Sequence, residues 1–100
     1  MNEKQIEAYN YFRELYPGAV ILYHISDNYV ALGSDAVAVA KILGYAGDVT
    51  DEFGFPSDDA SIIGKLGDVF QLKMIDYRND DGELDYPDVG ALKQEKYDDY

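Results

Sequence analysis

The spacing of apolar side chains along the first sixteen residues is typical of a helix. Apolar positions recur every three or four residues, which places them on one buried stripe. The stripe is expected to contain Ile6, Tyr9, Phe12 or Arg13, and Tyr16. Asn2 is a suitable N-cap, and Gln5 follows three residues later, as in a capping box. Pro17-Gly18 is expected to end the helix.

Two strands are predicted next. Residues 19–23 form a continuous apolar run with β-branched side chains, which is typical of a strand covered on both faces. Ser26-Asp27 predicts a turn, and residues 28–32 predict a second strand. Because the connection is short, the two strands are expected to be antiparallel.

The middle of the chain predicts two helices separated by an extended segment. Ser34 is expected to cap the first of these helices, and Gly44 is expected to end it. Residues 36–43 alternate as a strand would, but their alanine content and the flanking caps favour a helix. Residues 49–55 are expected to be extended. A helix over residues 60–66 should follow two aspartates that suit the positive end of its dipole.

Residues 69–77 have the clearest strand pattern in the chain, with alternating apolar and polar side chains. The apolar side chains expected on one face are Phe70, Leu72 and Met74, and the polar ones on the other face are Gln71 and Lys73.

The last part of the chain predicts irregular structure. Residues 79–82 should form a turn, residues 83–86 a short edge strand, and residues 92–100 a frayed helix or a disordered tail. The order of elements along the chain is then α-β-β-α-β-α-β with a final short strand. This order indicates an α+β fold, a single small domain in which helices flank a mixed sheet.

Length and composition limit the classes of protein to consider. A chain of 100 residues is expected to form one domain. It has no cysteine, which excludes disulfides, a thiol nucleophile and a thiolate metal site. No apolar stretch has the length needed to cross a bilayer, and the polar N-terminus lacks a signal-peptide core. We therefore expect a cytoplasmic protein that does not associate with membranes.

Charge is the most unusual property of the sequence. Eight Lys and Arg residues stand against 20 Asp and Glu residues, which gives a net charge of −12. Residues 1–50 contribute −3 (3 basic, 6 acidic) and residues 51–100 contribute −9 (5 basic, 14 acidic). Affinity for duplex DNA comes largely from cations that displace counterions, so this balance disfavours duplex DNA as a partner. A protein partner is the expected alternative.

Candidate catalytic and metal-binding groups are few. His24 is the single histidine, and a lone histidine in a strand is more often packed than catalytic. The sequence has neither a nucleophile-elbow serine nor a glycine-rich phosphate loop. The turn around Gly82 fails as a calcium loop, because Tyr77 and Asp88 occupy the positions that need an aspartate and a bidentate glutamate. We expect no enzyme activity, no metal site and no cofactor.

The chain contains ten tyrosines. Three of them suit packing positions, namely Tyr9, Tyr16 and Tyr23. The tyrosines near the acidic end are open to packing or to a protein-binding surface, because tyrosine is enriched at interfaces. These are Tyr77, Tyr86, Tyr97 and Tyr100.

Several short motifs follow one another in a defined order. They are Tyr11-Phe12-Arg13-Glu14-Leu15-Tyr16-Pro17, Ser26-Asp27-Asn28-Tyr29-Val30, Gly33-Ser34-Asp35-Ala36, Ala40-Lys41-Ile42-Leu43-Gly44, Gly54-Phe55-Pro56 and Lys65-Leu66. This series resembles the N-terminal mismatch-recognition domain (domain I) of the MutS DNA mismatch-repair family. There, a helix ending in Tyr-Pro is followed by an apolar strand, Gly-Asp-Phe-Tyr-Glu, Asp-Ala, Ala-Lys-x-Leu-Gly-Ile and Gly-Phe-Pro. The resemblance covers roughly residues 5–88, and it implies a module over residues 1–88 followed by an acidic tail over residues 89–100.

In that family, a Phe-x-Glu motif contacts mismatched DNA: the aromatic ring wedges beside the mispaired base, and the carboxylate hydrogen-bonds it. The matching positions here hold Asn28 and Val30, so both reading residues are replaced. His24 matches an arginine of the family, and Ser26 matches a turn glycine. The resemblance therefore implies degenerate DNA-contact positions at His24, Asn28, Tyr29 and Val30.

The ATPase, lever and clamp regions of the family have no counterpart in the sequence. The leading hypothesis is a stand-alone, non-enzymatic module that is connected with DNA mismatch repair and has lost the mismatch-reading motif. Two alternatives remain open. One is an acidic module that docks on a protein partner, and the other is an acidic decoy that mimics DNA and occupies a DNA-binding protein.

Overall fold

Helices and strands alternate along the chain in the computed structural model, which describes the backbone of residues 1–98 and the side chains of residues 1–93. The helices are α1 (Glu3–Leu15), α2 (Gly33–Ile42), α3 (Ala60–Gly67) and α4 (Val89–Asp98), and the strands are β1 (Ala19–Ile25), β2 (Asn28–Leu32), β3 (Glu52–Pro56) and β4 (Gln71–Ile75). The fold is α+β, as the sequence predicted.

The four strands form one mixed sheet in the order β3-β2-β1-β4. β1 pairs antiparallel with β2 and parallel with β4, and β2 pairs antiparallel with β3. Helices α1 and α4 pack on one side of the sheet, which we call the α1 face, and helices α2 and α3 pack on the other, the α2 face. The predicted single domain with helices flanking a mixed sheet is confirmed.

The central strand β1 is covered on both faces, as its apolar run predicted. Ile21 and Tyr23 point into the core on the α1 face, whereas Val20 and Leu22 point into the core on the α2 face. All four are at most 6% exposed. The strand needs apolar residues at every position because neither of its faces meets solvent.

Helix α1 begins as predicted but buries a different face. The Asn2 side chain accepts the Gln5 N–H at 2.8 Å, and the Gln5 side chain accepts the Asn2 N–H at 2.9 Å, which completes the capping box. The buried residues are Gln5, Ala8 and Phe12, whereas Ile6, predicted to be buried, is 42% exposed. The helix is rotated about its axis because the small Ala8 allows close approach to the sheet while Phe12 fills the space beside it.

Helix α2 starts two residues earlier than predicted and without the expected cap. Its N-cap is Leu32, which makes no side-chain capping bond, so the expectation that Ser34 caps the helix was wrong. Gly33 adopts a φ of +58° and turns the chain directly from β2 into the helix. Ser34 therefore lies within the first turn, where its hydroxyl makes contacts with α1 instead.

The C-terminal part differs from prediction in two places. Met74, expected on an apolar face, is 38% exposed because β4 is an edge strand. Residues 83–86 do not form a strand, since only an isolated bridge joins Arg78 to Leu84. Of the two conformations predicted for the end of the chain, residues 89–98 adopt the helical one as α4. Its first residue, Val89, is 4% exposed and packs with α1 in the core, and residues 99–100 lie outside the described part.

Candidate functional site

The turn between β1 and β2 is the centre of the predicted DNA-contact region. Ser26 has a φ of +53° and is the one non-glycine among residues 1–98 with a positive φ. This backbone conformation normally favours glycine. The carbonyl oxygen of Asp27 accepts hydrogen bonds from the N–H and the hydroxyl of Ser57, both at 2.9 Å. These bonds tie the turn to the loop that follows β3.

The four predicted contact residues are divided between the two faces of the sheet. Asn28 pairs with Ile25 and Val30 pairs with Tyr23, which puts both on the α1 face. Val30 is 9% exposed and belongs to the core, whereas Asn28 at the start of β2 is exposed. His24 and Tyr29 pair with each other and lie on the opposite face. The structure therefore brings His24 and Tyr29 together and separates them from the other two residues.

His24 and Tyr29 belong to a row of side chains that crosses the sheet, which we call the transverse row: Asp76, His24, Tyr29 and Phe55. The Nδ1 atom of His24 lies 3.0 Å from Oδ1 of Asp76, just beyond the end of β4. The rings of His24 and Tyr29 are 4.8 Å apart between centroids, and those of Tyr29 and Phe55 are 6.1 Å apart. Each strand thus contributes or adjoins one member of the row.

The electrostatics of the transverse row favour a structural role. Burial, and secondly the nearby charge of Asp76, raise the pKa of the Tyr29 phenol, so the phenol stays neutral at physiological pH. The Asp76 side chain is 64% exposed, and a contact so open to water contributes little to stability. Within the described residues, no group of three or more His, Asp or Glu side chains is arranged to hold a metal ion. The row holds the His24 imidazole between a carboxylate and an aromatic ring.

A second polar cluster, which the sequence analysis missed, joins α1 to the start of α2. The hydroxyls of Tyr9 and Ser34 are 2.8 Å apart, and the Arg13 guanidinium donates to both. The Tyr9 ring also covers Gly33, where an added Cβ would lie 2.7 Å from the ring. The signal available in the sequence was the Gly-Ser pair immediately after a predicted strand.

Asp35 has a defined structural task beside this cluster. If the β1–β2 register continued, Leu32 would lie opposite Ile21, but β2 pairs with β1 only as far as Val30, and Leu32 pairs with Glu52 of β3 before α2 begins. The Asp35 carboxylate takes over and accepts the Ile21 N–H at 3.2 Å. Burial raises the pKa of the Asp35 carboxyl, while the Ile21 N–H and the Arg13 charge oppose that rise.

Several basic side chains are engaged within the fold. Of the seven among residues 1–93, four make such contacts: Lys4 pairs with Asp85 at 2.8 Å, Arg13 donates to Ser34, Lys73 lies 4.8 Å from the Tyr16 ring centroid, and Arg78 donates to the Gly82 carbonyl at 2.7 Å. Contacts of this kind hold the cations against the protein surface instead of presenting them together to a phosphate backbone.

The loop after β4 carries much of the negative charge. Its turn, which we call the acidic hairpin (residues 78–84), is held by the Asn79 side chain, whose oxygen accepts the N–H groups of Asp81 (3.0 Å) and Glu83 (3.1 Å). The side chains of Asp80, Asp81 and Glu83 are exposed. The hairpin predicted from the sequence is thus an ordered, solvent-facing acidic turn.

The described tyrosines differ in burial, from Tyr23 in the core to Tyr45, which is 55% exposed. Tyr23 is 1% exposed, and its hydroxyl has no hydrogen-bond partner in the structure. The Tyr86 ring lies 5.4 Å from that of Tyr23, and burial raises the pKa of the Tyr86 phenol. Tyr86 therefore packs against the core on the α1 face, whereas Tyr77 is half-buried. The Tyr97 side chain and Tyr100 lie outside the described residues.

A groove of about 300 Å³ lies between α1 and α4. Its lining consists of Glu7, Tyr11, Glu14, Val89, Gly90 and Lys93. Glu7, Glu14 and Lys93 place charges of both signs around it.

Comparison with protein-family models and with curated proteins finds no match for the chain. Among the helices described, none has the length and apolar character needed to span a membrane. Function therefore has to be inferred from the residues and their geometry.

Proposed function

We propose that the chain is a non-enzymatic binding module related to the mismatch-recognition domain of the MutS family, in which DNA reading has been lost and the partner is a protein. The observation that carries the loss of reading is the burial of Val30. Its side chain, at the position of the family's base-contacting glutamate, is 9% exposed and packs in the core on the α1 face.

The relationship to the MutS domain is supported by what the retained motif residues do. Ser26 has the positive φ that the family's turn glycine would adopt readily. Asp35, in the Asp-Ala motif, accepts the Ile21 N–H, and Phe55, in the Gly-Phe-Pro motif, is 4% exposed in the core. Asp35 and Phe55, which match the family pattern, are used for folding, whereas both positions that would read a base are replaced, by Asn28 and Val30.

Two independent considerations support the absence of DNA binding. With a net charge of −12, and with half of the basic side chains engaged in contacts within the fold, little affinity is available from counterion release. Asn28 supplies no aromatic face, and a stacking contact contributes about 1–3 kcal/mol per base in single-strand systems. Both the electrostatic affinity for the DNA backbone and the aromatic contact with a mispaired base are then missing.

A protein partner is supported by the ordered acidic surface around the acidic hairpin, because a fixed set of carboxylates selects basic partners by charge complementarity. The cysteine-free composition is unlike that of disulfide-stapled secreted domains. As part of the same proposal, we assign the module to the cytoplasm.

The proposal is tested by titrating the protein with labelled duplexes that carry a G·T mismatch, one unpaired base or no defect, at low and at physiological salt. We expect no binding at ~10 µM protein, a concentration at which non-specific DNA binders already associate. Micromolar or tighter binding with a preference for the defect would refute the proposal. The variant Asn28→Phe restores the exposed aromatic residue of the motif. This variant should still not bind the duplexes. A preference of the variant for mismatched DNA would show that the β1–β2 turn still contacts DNA.

A further inference from the structure

Within residues 1–98, the outer side of β4 is an unpaired edge of the sheet. β4 is last in the order β3-β2-β1-β4, and no strand within residues 1–98 pairs with its outer side. It packs against β1 and, more lightly, against α3. An edge strand presents a row of unpaired N–H and C=O groups, which another extended chain can pair with.

The opposite edge strand, β3, differs from β4 in composition. β3 contains Gly54, ends at Pro56 and is in contact with α2. β4 consists of residues 71–75 and has neither glycine nor proline. Its one charged side chain, Lys73, is drawn over the Tyr16 ring on the α1 face, so it does not stand in front of the edge.

Apolar side chains accompany this unpaired backbone. Met74 in β4 is 38% exposed, and Val69 just before the strand is 55% exposed. An unbranched methionine adapts its shape to different apolar partners. The edge therefore offers backbone pairing together with an apolar contact, which is the combination that strand-addition sites use.

The charges beside β4 indicate which kind of segment fits. Residues 68–85 include six acidic and two basic side chains, and the acidic members flank the strand at both ends through Asp68 and Asp76. The exposed carboxylates of the acidic hairpin follow directly. A second copy of the chain would bring another net charge of −12 to the same edge, so a basic segment is favoured over self-association.

We propose that the outer edge of β4 binds an extended, basic segment of a partner protein as a fifth strand of the sheet. The proposal rests on the proposed function as a protein-binding module and names the surface and the chemistry of the partner. Backbone hydrogen bonds to β4 hold the segment, its apolar side chains contact Met74, and its lysines or arginines meet the neighbouring carboxylates.

The probe for this site is a fluorescein-labelled peptide of alternating lysine and valine, seven residues long, measured by fluorescence anisotropy. Two control peptides are matched to it. One is N-methylated at every backbone amide, so that charge and side chains are kept while the donors are lost, and the other replaces each lysine by glutamate. We expect the N-methylated peptide to bind at least about tenfold more weakly and the glutamate peptide not to bind. Amide signals of β4 should shift and become protected from exchange in NMR spectra with the first peptide.

Two protein variants distinguish binding at the β4 edge from general electrostatic attraction of the peptide to the acidic protein. Met74→Lys places a positive charge at the edge, and Val37→Lys makes the same charge change at a comparably exposed side chain on α2. We expect Met74→Lys to weaken binding of the lysine–valine peptide by about tenfold, and Val37→Lys to change it by less than about twofold.

The outcomes distinguish this proposal from the function on which it rests. Equal binding of the N-methylated peptide, or equal weakening by the two variants, would overturn strand addition while leaving the protein-binding function intact. A dimer of the free protein that dissociates on Met74→Lys substitution would assign the edge to a second copy and overturn the proposal. Failure of the proposed function appears separately, as mismatch-dependent binding in the DNA titration.

Discussion

Replacing Val30 with glutamate restores the side chain that the MutS motif carries at this position and puts a carboxyl group into the core. Val30 is 9% exposed and packs in the cluster that contains Phe12, Tyr23 and Leu32. Losing the buried apolar contacts costs about 1.5–2 kcal/mol. Forcing in a longer side chain adds about 1 kcal/mol or more. Burying a neutral carboxyl group without a hydrogen-bond partner adds about 1–3 kcal/mol. Together these give a loss of about 4 kcal/mol in the free energy of unfolding.

The measurement is urea unfolding followed by circular dichroism and by tyrosine fluorescence, since the chain has ten tyrosines and no tryptophan. With a slope of about 2 kcal/mol per molar urea, the midpoint should fall by about 2 M. Burial would raise the pKa of the new carboxyl group, so the loss should grow as pH rises above about 4, where the unfolded chain becomes ionised. Asn28→Glu is the matched control, because it introduces the same carboxyl group at an exposed position on the same face of β2. It should change the free energy of unfolding by less than about 0.5 kcal/mol. Equal stability of the two variants would show that position 30 reaches solvent and would refute the argument from burial.

Further substitutions at Tyr23, Asp35 and Gly33 test the packing around the polar cluster. Tyr23→Phe removes a buried hydroxyl that has no partner, so urea unfolding should show an unchanged or higher free energy, by up to about 1 kcal/mol; a clear loss would mean that the hydroxyl is hydrogen-bonded. Asp35→Ala leaves the Ile21 N–H unpaired and should cost about 1–3 kcal/mol in the same assay. Because burial raises the pKa of the Asp35 carboxyl, ionisation of this group opposes folding as pH rises. At pH 7 the Asp35→Asn variant should therefore be at least as stable as the parent protein. Below pH about 4, where Asp35 is protonated in the folded and unfolded parent, the variant should lose this advantage. Gly33→Ala combines a φ of +58° with a close ring contact and should lower stability by about 2–4 kcal/mol. Gly44→Ala is the control, because Gly44 has a φ of +76° but no neighbouring atom near an added Cβ, and it should lower stability by about 1 kcal/mol. Equal losses of stability for the two glycine variants in thermal unfolding would contradict the close contact between Gly33 and the Tyr9 ring.

Features that depend on neighbouring residues were predictable from the sequence. The capping box of Asn2 and Gln5 and the pairing of β1 with β2 are both local, and both are confirmed. Features that depend on distant contacts were not. The rotation of α1 is set by its packing on the sheet, and the start of α2 is set by the turn at Gly33 and by the ring that covers it.

The same distinction applies to the candidate site. The two-residue period of a strand is sufficient to place Asn28 and Val30 on one face and His24 and Tyr29 on the other. The contact of His24 with Asp76 depends on the parallel register of β4, which no local pattern fixes. The hydrogen bond of Asp35 was equally hidden, because it depends on the residue at which β2 stops pairing with β1.

The parallel pairing of β1 with β4 has a consequence for the order of folding. About fifty residues separate Ala19 from its partner Gln71, whereas β1 and β2 are joined by a two-residue turn. Closing the longer loop costs about 2–3 kcal/mol more in chain entropy than closing the shorter one. We therefore expect β4 to join a sheet that has already formed around the hairpin, and to be the first strand released by local unfolding. A ligand strand on β4 would thus act on the last part of the domain to assemble, and it would stabilise the folded chain increasingly as its own concentration rises.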